Sequence, residues 1–205
     1  VYERGYIAVD DCGIIQGVYH TLPEDFTYDQ LVDFGDKLLI PAMNDMHVHA
    51  PQFANMGVAM DMQLLPWLNT YVYPEEAKFA DEAYAETIYH SFVSELWRQG
   101  TMRAAVFATV HTPATHILAR AFNEAGMGAL IGLVGMDRHT PATLCNTPAE
   151  WAAGMQTLIE SLASMPLIKP IITPRFIPSC TPEMLRCMGA MAKQLAERIR
   201  KDEYQ

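Results

Sequence analysis

The chain has no apolar run near the roughly 20 residues that a membrane helix needs, so no membrane span is expected. It is poor in basic residues: 14 Lys and Arg stand against 24 Asp and Glu, a net charge of −10. That balance excludes unspecific attraction to phosphate backbones or anionic lipid, and neither a nucleic-acid nor a membrane partner is expected. Charged residues make up only 19% and hydrophobic ones 50%, which excludes a disordered chain. The four cysteines (Cys12, Cys145, Cys180 and Cys187) include no CxxC pair, so free thiols are expected. The opening stretch VYERGYIAVDD has neither a basic nor an apolar signal region, and a cytoplasmic location is expected. GxSxG, HExxH and Walker sequences are absent, and GMGALIG (126–132) fails the dinucleotide fingerprint. At 205 residues the chain is also too short for a complete (β/α)8 barrel, about 250 residues, with a flanking domain.

What is present falls into two regimes. Residues 1–37 read as short antiparallel strands, with GYIAVDD and GIIQGVYH separated by the turn residues Asp11-Cys12-Gly13. From residue 38 to 205, β runs alternate with helical stretches. The β runs are LLIPAMNDMHVH (38–49), AAVFATVH (104–111), ALIGLVGMD (129–137) and LIKPIITPRF (167–176). Helices are predicted over 81–100, 112–126, 149–164 and 181–201. The first carries an apolar stripe of Tyr84, Ile88, Phe92, Leu96 and Trp97 and stops at Gly100; the last two start at Thr-Pro pairs. Apolar strands separated by helices indicate an α/β fold with a parallel sheet covered on both faces. Residues 50–80 read as a long irregular insertion after a strand end, either a substrate-binding loop or a packed surface loop.

The strongest local signal is His47-Val48-His49. Residues i and i+2 of a strand project from the same face, so two imidazoles at a strand tip can grip one metal ion. Zinc accepts neutral imidazole, and so does Fe2+. Asp45 reads either as a partner orienting an imidazole or as a turn cap. His111, Arg138 and His139 follow later strands and could shape a pocket, whereas Trp67 and Tyr71 read as packing residues. His20, His90 and His116 read as surface or helix residues.

LLIPAMNDMHVHAPQF resembles the first barrel strand of the amidohydrolase superfamily. With LLPWLNTYVYPEE, Gly100-Thr101, FATVHT, GMDRHTP and PIITPRFIPSC following in order over residues 37–190, the text resembles the guanine deaminases in particular. The resemblance implies a partial (β/α)8 barrel, about its first four β/α units, over 38–205. Part of a small β-sandwich would precede it over 1–37. It implies His47 and His49 as zinc ligands, Gln52 as a carboxamide contact to the purine, and Arg175 with Phe176 as the guanidinium at O6 and the ring lining the pocket. Each side chain suits such a role, since a carboxamide both donates and accepts, a guanidinium is a fixed donor, and an aromatic face fits a flat heterocycle. Ala42 stands where the family usually has Gly, and Met102 where it has a second Thr.

The implied activity is guanine aminohydrolysis, in which a zinc-activated water attacks the purine carbon bearing the amine, giving xanthine and ammonia. The family's later histidines, its aspartate and the glutamate of its His-x-x-Glu motif have no counterpart here, since His139 is the last histidine. No catalytic acid or base can be assigned. A truncated chain, inactive or nearly so alone, is expected. The alternatives are a hydrolase of another heterocycle or a non-catalytic family member. Exposed half-barrel edges point to a homo-oligomer.

Overall fold

The computed structural model describes residues 4–200. The chain divides into two units, one running to Ile40 and one starting at Pro41. In the first, β1 (Tyr6–Val9) and β2 (Ile15–Tyr19) form an antiparallel pair. Asp10 closes their turn by accepting the backbone N–H groups of Cys12 and Ile14, each at 2.9 Å. A short polar side chain tied to its own backbone is the usual mechanism of such turns.

The second unit is α/β. Its strands β3 (Met43–His49), β4 (Thr101–Phe107), β5 (Gly128–Gly132) and β7 (Ile168–Pro170) form one parallel sheet in that order. Two short strands, β6 (Val134–Gly135) and β8 (Thr173–Pro174), extend it as a second parallel pair. Between β3 and β4 lie two short helices, α1 (Leu64–Trp67) and α2 (Tyr73–Ala77), and then α3 (Glu82–Arg98). Helices α4 (Thr112–Glu124), α5 (Pro148–Leu162) and α6 (Pro182–Arg200) follow the later strands. The result is four successive strand-then-helix units.

The helix starts follow their sequence signals. Asp81 accepts from the Ala83 amide ahead of α3. Thr147 and Glu150 form a reciprocal capping box with Pro148 at the first helical position. The stops follow too. Gly100 and Gly126, at φ 80° and 68°, turn the chain from α3 into β4 and from α4 into β5, a left-handed conformation that costs a residue without Cβ little.

The main core joins Val106, Ile131 and Ile168 of the strands to Phe92, Leu118, Phe122, Met155 and Leu158 of the helices. Between β5 and β6 the chain breaks at Leu133. Its carbonyl accepts the Trp151 indole N–H at 2.9 Å and the Thr173 hydroxyl at 3.0 Å, so the buried break keeps its hydrogen bonds.

Several expected boundaries shift. Residues 38–42 are not strand: Leu38, Leu39 and Ile40 are exposed, and Pro41 has no N–H for a ladder. β4 ends at Phe107, and His111 leads into α4 instead. The runs 129–137 and 167–176 are each split in two. The stripe on α3 is rotated: Ala85, Tyr89, Phe92 and Val93 are buried, while Trp97 is 57% exposed. Residues 50–80 are largely helical, with 3-10 turns at Ala50–Asn55 and Lys78–Ala80 and a π segment at Leu68–Val72 joining α1 to α2. Pro51 and Pro66 fall in first turns, where no intrahelical N–H is needed, and Pro74 follows directly on the π segment, which interrupts the regular α-helical bonding.

Candidate active site

Parallel strands gather the ends of successive units on one side of the sheet, where His47 and His49 end β3 and Arg175 and Phe176 follow β8. His47 and His49 lie on β3 with ring centroids 5.0 Å apart, as the period of two requires. Phe107, at the end of the neighbouring β4, contacts both rings. It stacks on His49 at 4.6 Å and 29°, and meets His47 edge-on at 5.1 Å. His47 is exposed and His49 half-buried. Burial above all, then the charges of Arg175 and His47, hold the His49 pKa down to about 3. The imidazole is therefore neutral, which is the form that coordinates a metal. Its Nδ1 is buried without a hydrogen-bond partner among the described residues.

No third His, Cys, Asp or Glu joins this pair among the described residues. Asp45 does not orient an imidazole: its Oδ1 accepts the backbone N–H of His47 at 3.1 Å, fixing the strand instead. The donors present fit a borderline divalent metal, with His47 and His49 as the two groups that would hold it.

Arg175 follows β8 and is buried, its Nη1 donating to Glu76 Oε2 at 3.0 Å. Both side chains are almost wholly inaccessible, at 3% and 0%. Arg175 is thus no surface ion pair. Phe176, next in sequence, packs with Phe107 and Val110 against a second apolar cluster built from Leu68, Val72, Tyr73, Val134, Met136 and Leu144. The 50–80 segment therefore covers the strand ends that carry the site. Gln52 lies in the first 3-10 turn, three residues beyond His49, and is half-buried.

The loop after Arg175 is held from the previous unit. Arg138 donates from Nε to the Pro178 carbonyl at 3.1 Å and from Nη2 to that of Ile177 at 3.0 Å. Asp137 accepts the amide of Thr181 at 2.7 Å and its hydroxyl at 2.5 Å. His111 is partly buried, its Nε2 without a partner among the described residues, and burial lowers its pKa. His139 is exposed at φ 52°. Trp67 packs and donates its indole N–H to the Val58 carbonyl at 2.9 Å, while Tyr71 is 37% exposed. Glu76 escaped the sequence reading. Its only signal was the YPEE text, and nothing in the sequence pairs it with a residue 99 positions away.

This end of the sheet thus combines a strand tip offering two imidazoles, a covering insertion and a buried arginine. Residues 38–199 match the family model of the amidohydrolase family, and the chain belongs to that family. More particularly, it is 34% identical to guanine deaminase of Dictyostelium discoideum, over 95% of this chain and 47% of that protein. With the Escherichia coli guanine deaminase the identity is 35%, over 87% of this chain and 39% of that one. A crystal structure of guanine deaminase from C. acetobutylicum with bound guanine superimposes with a TM-score of 0.89 at 38% identity, covering 94% of this chain and 46% of that one. The chain spans less than half the length of the curated relatives it matches.

Proposed function

We propose that this chain carries the metal-binding and purine-recognition half of a guanine aminohydrolase, an enzyme that converts guanine and water to xanthine and ammonia. In this reading the four β/α units are the first half of a (β/α)8 barrel, and residues 1–37 belong to a small β-sandwich. The observation that carries it is the pair of imidazoles at the end of β3, His47 and His49 with ring centroids 5.0 Å apart, on the sheet whose later strand ends deliver the buried Arg175. Similarity to a guanine deaminase that holds guanine supports the substrate.

His47 and His49 would hold zinc, or Fe2+ as the second candidate. When bound, such a metal is a Lewis acid that brings water toward its hydroxide form near neutral pH. Gln52 offers a donor and an acceptor to the purine's polar edge. Arg175 donates to the exocyclic O6, and the Phe176 ring lies against the heterocycle. The apolar roof from Leu68, Val72 and Tyr73 excludes water from this side. We read the protein as a cytoplasmic homo-oligomer.

Two imidazoles with no third ligand among the described residues favour a chain that is inactive by itself. The test is bound zinc, guanine affinity and ammonia release on the purified 205-residue protein, with His47→Ala/His49→Ala and Arg175→Ala as controls. We expect weak zinc uptake that the histidine variant abolishes, guanine binding that Arg175→Ala weakens, and no turnover near the 1–1000 s⁻¹ typical of enzymes. Turnover at such rates would mean that other residues complete the metal centre. Binding of adenine as tight as that of guanine would move the substrate to another heterocycle.

A further inference from the structure

Among the described residues Glu76, on α2, is the one wholly buried carboxylate, and nothing in the proposed chemistry uses it directly. Burying a carboxylate is costly unless it is paired, and it is paired, with Arg175. The ion pair is a single bond, Nη1 donating to Oε2 at 3.0 Å, and the Thr109 hydroxyl lies beside the carboxylate and helps to hold its charge. The other N–H groups of the guanidinium have no hydrogen-bond acceptor among the described residues. A guanidinium is planar and its donors form a rigid fork, so fixing one corner fixes the directions of the rest. The backbone supports the same end: Arg175 donates its amide to the Gly135 carbonyl at 3.1 Å.

Charge leads to the same place. A bare cation beside two imidazoles would oppose a metal dication held by them, and in a buried site that repulsion is poorly screened. Burial pushes the Glu76 carboxyl above its ordinary pKa and the Arg175 charge opposes that rise; in its ionised form Glu76 offsets the guanidinium it contacts. Helix α2, which carries it, is anchored through Tyr73 in the apolar cluster that also contacts Phe176. Glu76, Arg175 and Phe176 thus hang from one packed unit.

We infer that Glu76 is a positioning residue for substrate choice: it holds the Arg175 guanidinium in the orientation that selects purines carrying a 6-oxo group. The inference deepens the guanine reading and rests on it. Glu76 touches no substrate itself, and it acts only through Arg175.

The test uses the fluorescent probe 2-aminopurine, which is guanine without O6, titrated into the 205-residue chain and displaced by guanine, with the thermal midpoint of each variant recorded. The readout is the ratio of the two affinities, which a merely structural role would not move. In Glu76→Gln we expect guanine affinity to fall on the order of tenfold while 2-aminopurine changes less than about twofold, the signature of one lost polar selection. Glu76→Asp, keeping the charge on a shorter arm, gives an intermediate ratio. Arg175→Ala lowers the ratio as far as Glu76→Gln does, and the double variant lowers it no further.

A wild-type ratio in a folded Glu76→Gln, or equal loss of both purines, overturns the inference and leaves the guanine reading standing. If Glu76→Gln fails to fold, Glu76→Asp decides, and an unchanged ratio there overturns it. A wild-type chain without preference for guanine over 2-aminopurine overturns both readings.

Discussion

The imidazole of His49 lies against the ring of Phe107, with centroids 4.6 Å apart and planes inclined by 29°. The two belong to adjacent parallel strands and pair in register, His49 opposite Phe107. An imidazole fixed in this way has lost its freedom before any metal arrives, so coordination need not pay for it.

Phe107 should therefore matter to metal binding although it has no donor atom. Phe107→Ala is expected to weaken zinc binding by about two- to tenfold, the equivalent of freeing one side chain at about 0.5–1.5 kcal/mol. His49→Ala should weaken it further. Competition titration against a chromophoric chelator measures both. An unchanged zinc affinity in Phe107→Ala would show that the stacked ring has no part in holding the ligand.

Two glycines should respond in opposite directions to the same added methyl group. At Gly132 a Cβ would meet the Ile171 carbonyl oxygen at 2.3 Å and the Thr173 hydroxyl at 2.5 Å, so β5 and the segment joining β7 to β8 must separate. Gly132→Ala should cost at least the 1–3 kcal/mol typical of overpacking. Gly189, exposed on α6, has nothing within 4 Å. Gly189→Ala should stabilise by about 0.5–1 kcal/mol through helix propensity. Urea midpoints separate the two, and equal shifts would refute the packing account.

The start of α5 should be sensitive to acid. Hydrogen bonds from the backbone N–H and then the hydroxyl of Thr147 hold the Glu150 pKa below its ordinary 4.5. The unfolded chain thus binds the proton more readily in that window. The stabilisation is complete above about pH 4.5 and disappears as pH falls through the lower folded value. Wild type should lose its advantage over Glu150→Gln across that interval, read as thermal midpoints from pH 7 down to pH 3. Thr147→Ala should cost about 1 kcal/mol at pH 7. A gap between wild type and Glu150→Gln that stays constant over the whole range would exclude the carboxylate as its source.

Local chemistry made much of this legible. His47 and His49 share a face because the strand period is two, and Thr147 caps α5 because a Thr-Pro pair can do little else there. The unread parts depend on contacts between distant segments. Trp97 completes an apolar stripe in the sequence, yet which side of α3 is covered depends on how the helix packs on the sheet and on α4. The helical turns over residues 50–80 are too short and too proline-rich for a periodic signal, and packing of Leu68, Val72 and Tyr73 against Val134 and Met136 holds them in place. Glu76 is the clearest case, since its meaning lies in a partner 99 residues on.

The tight turns at Gly100 and Gly126 lie at the strand ends opposite His49 and Arg175. Evolutionary drift in this molecule is therefore partitioned. Randomising 98–101 or 124–128 would sample mostly unfolded chains with unchanged taste in ligands. Randomising the positions of 50–80 and 173–180 that lie outside the buried cluster would sample folded chains with an altered site, which makes the covered end of the sheet the place to search for new specificities.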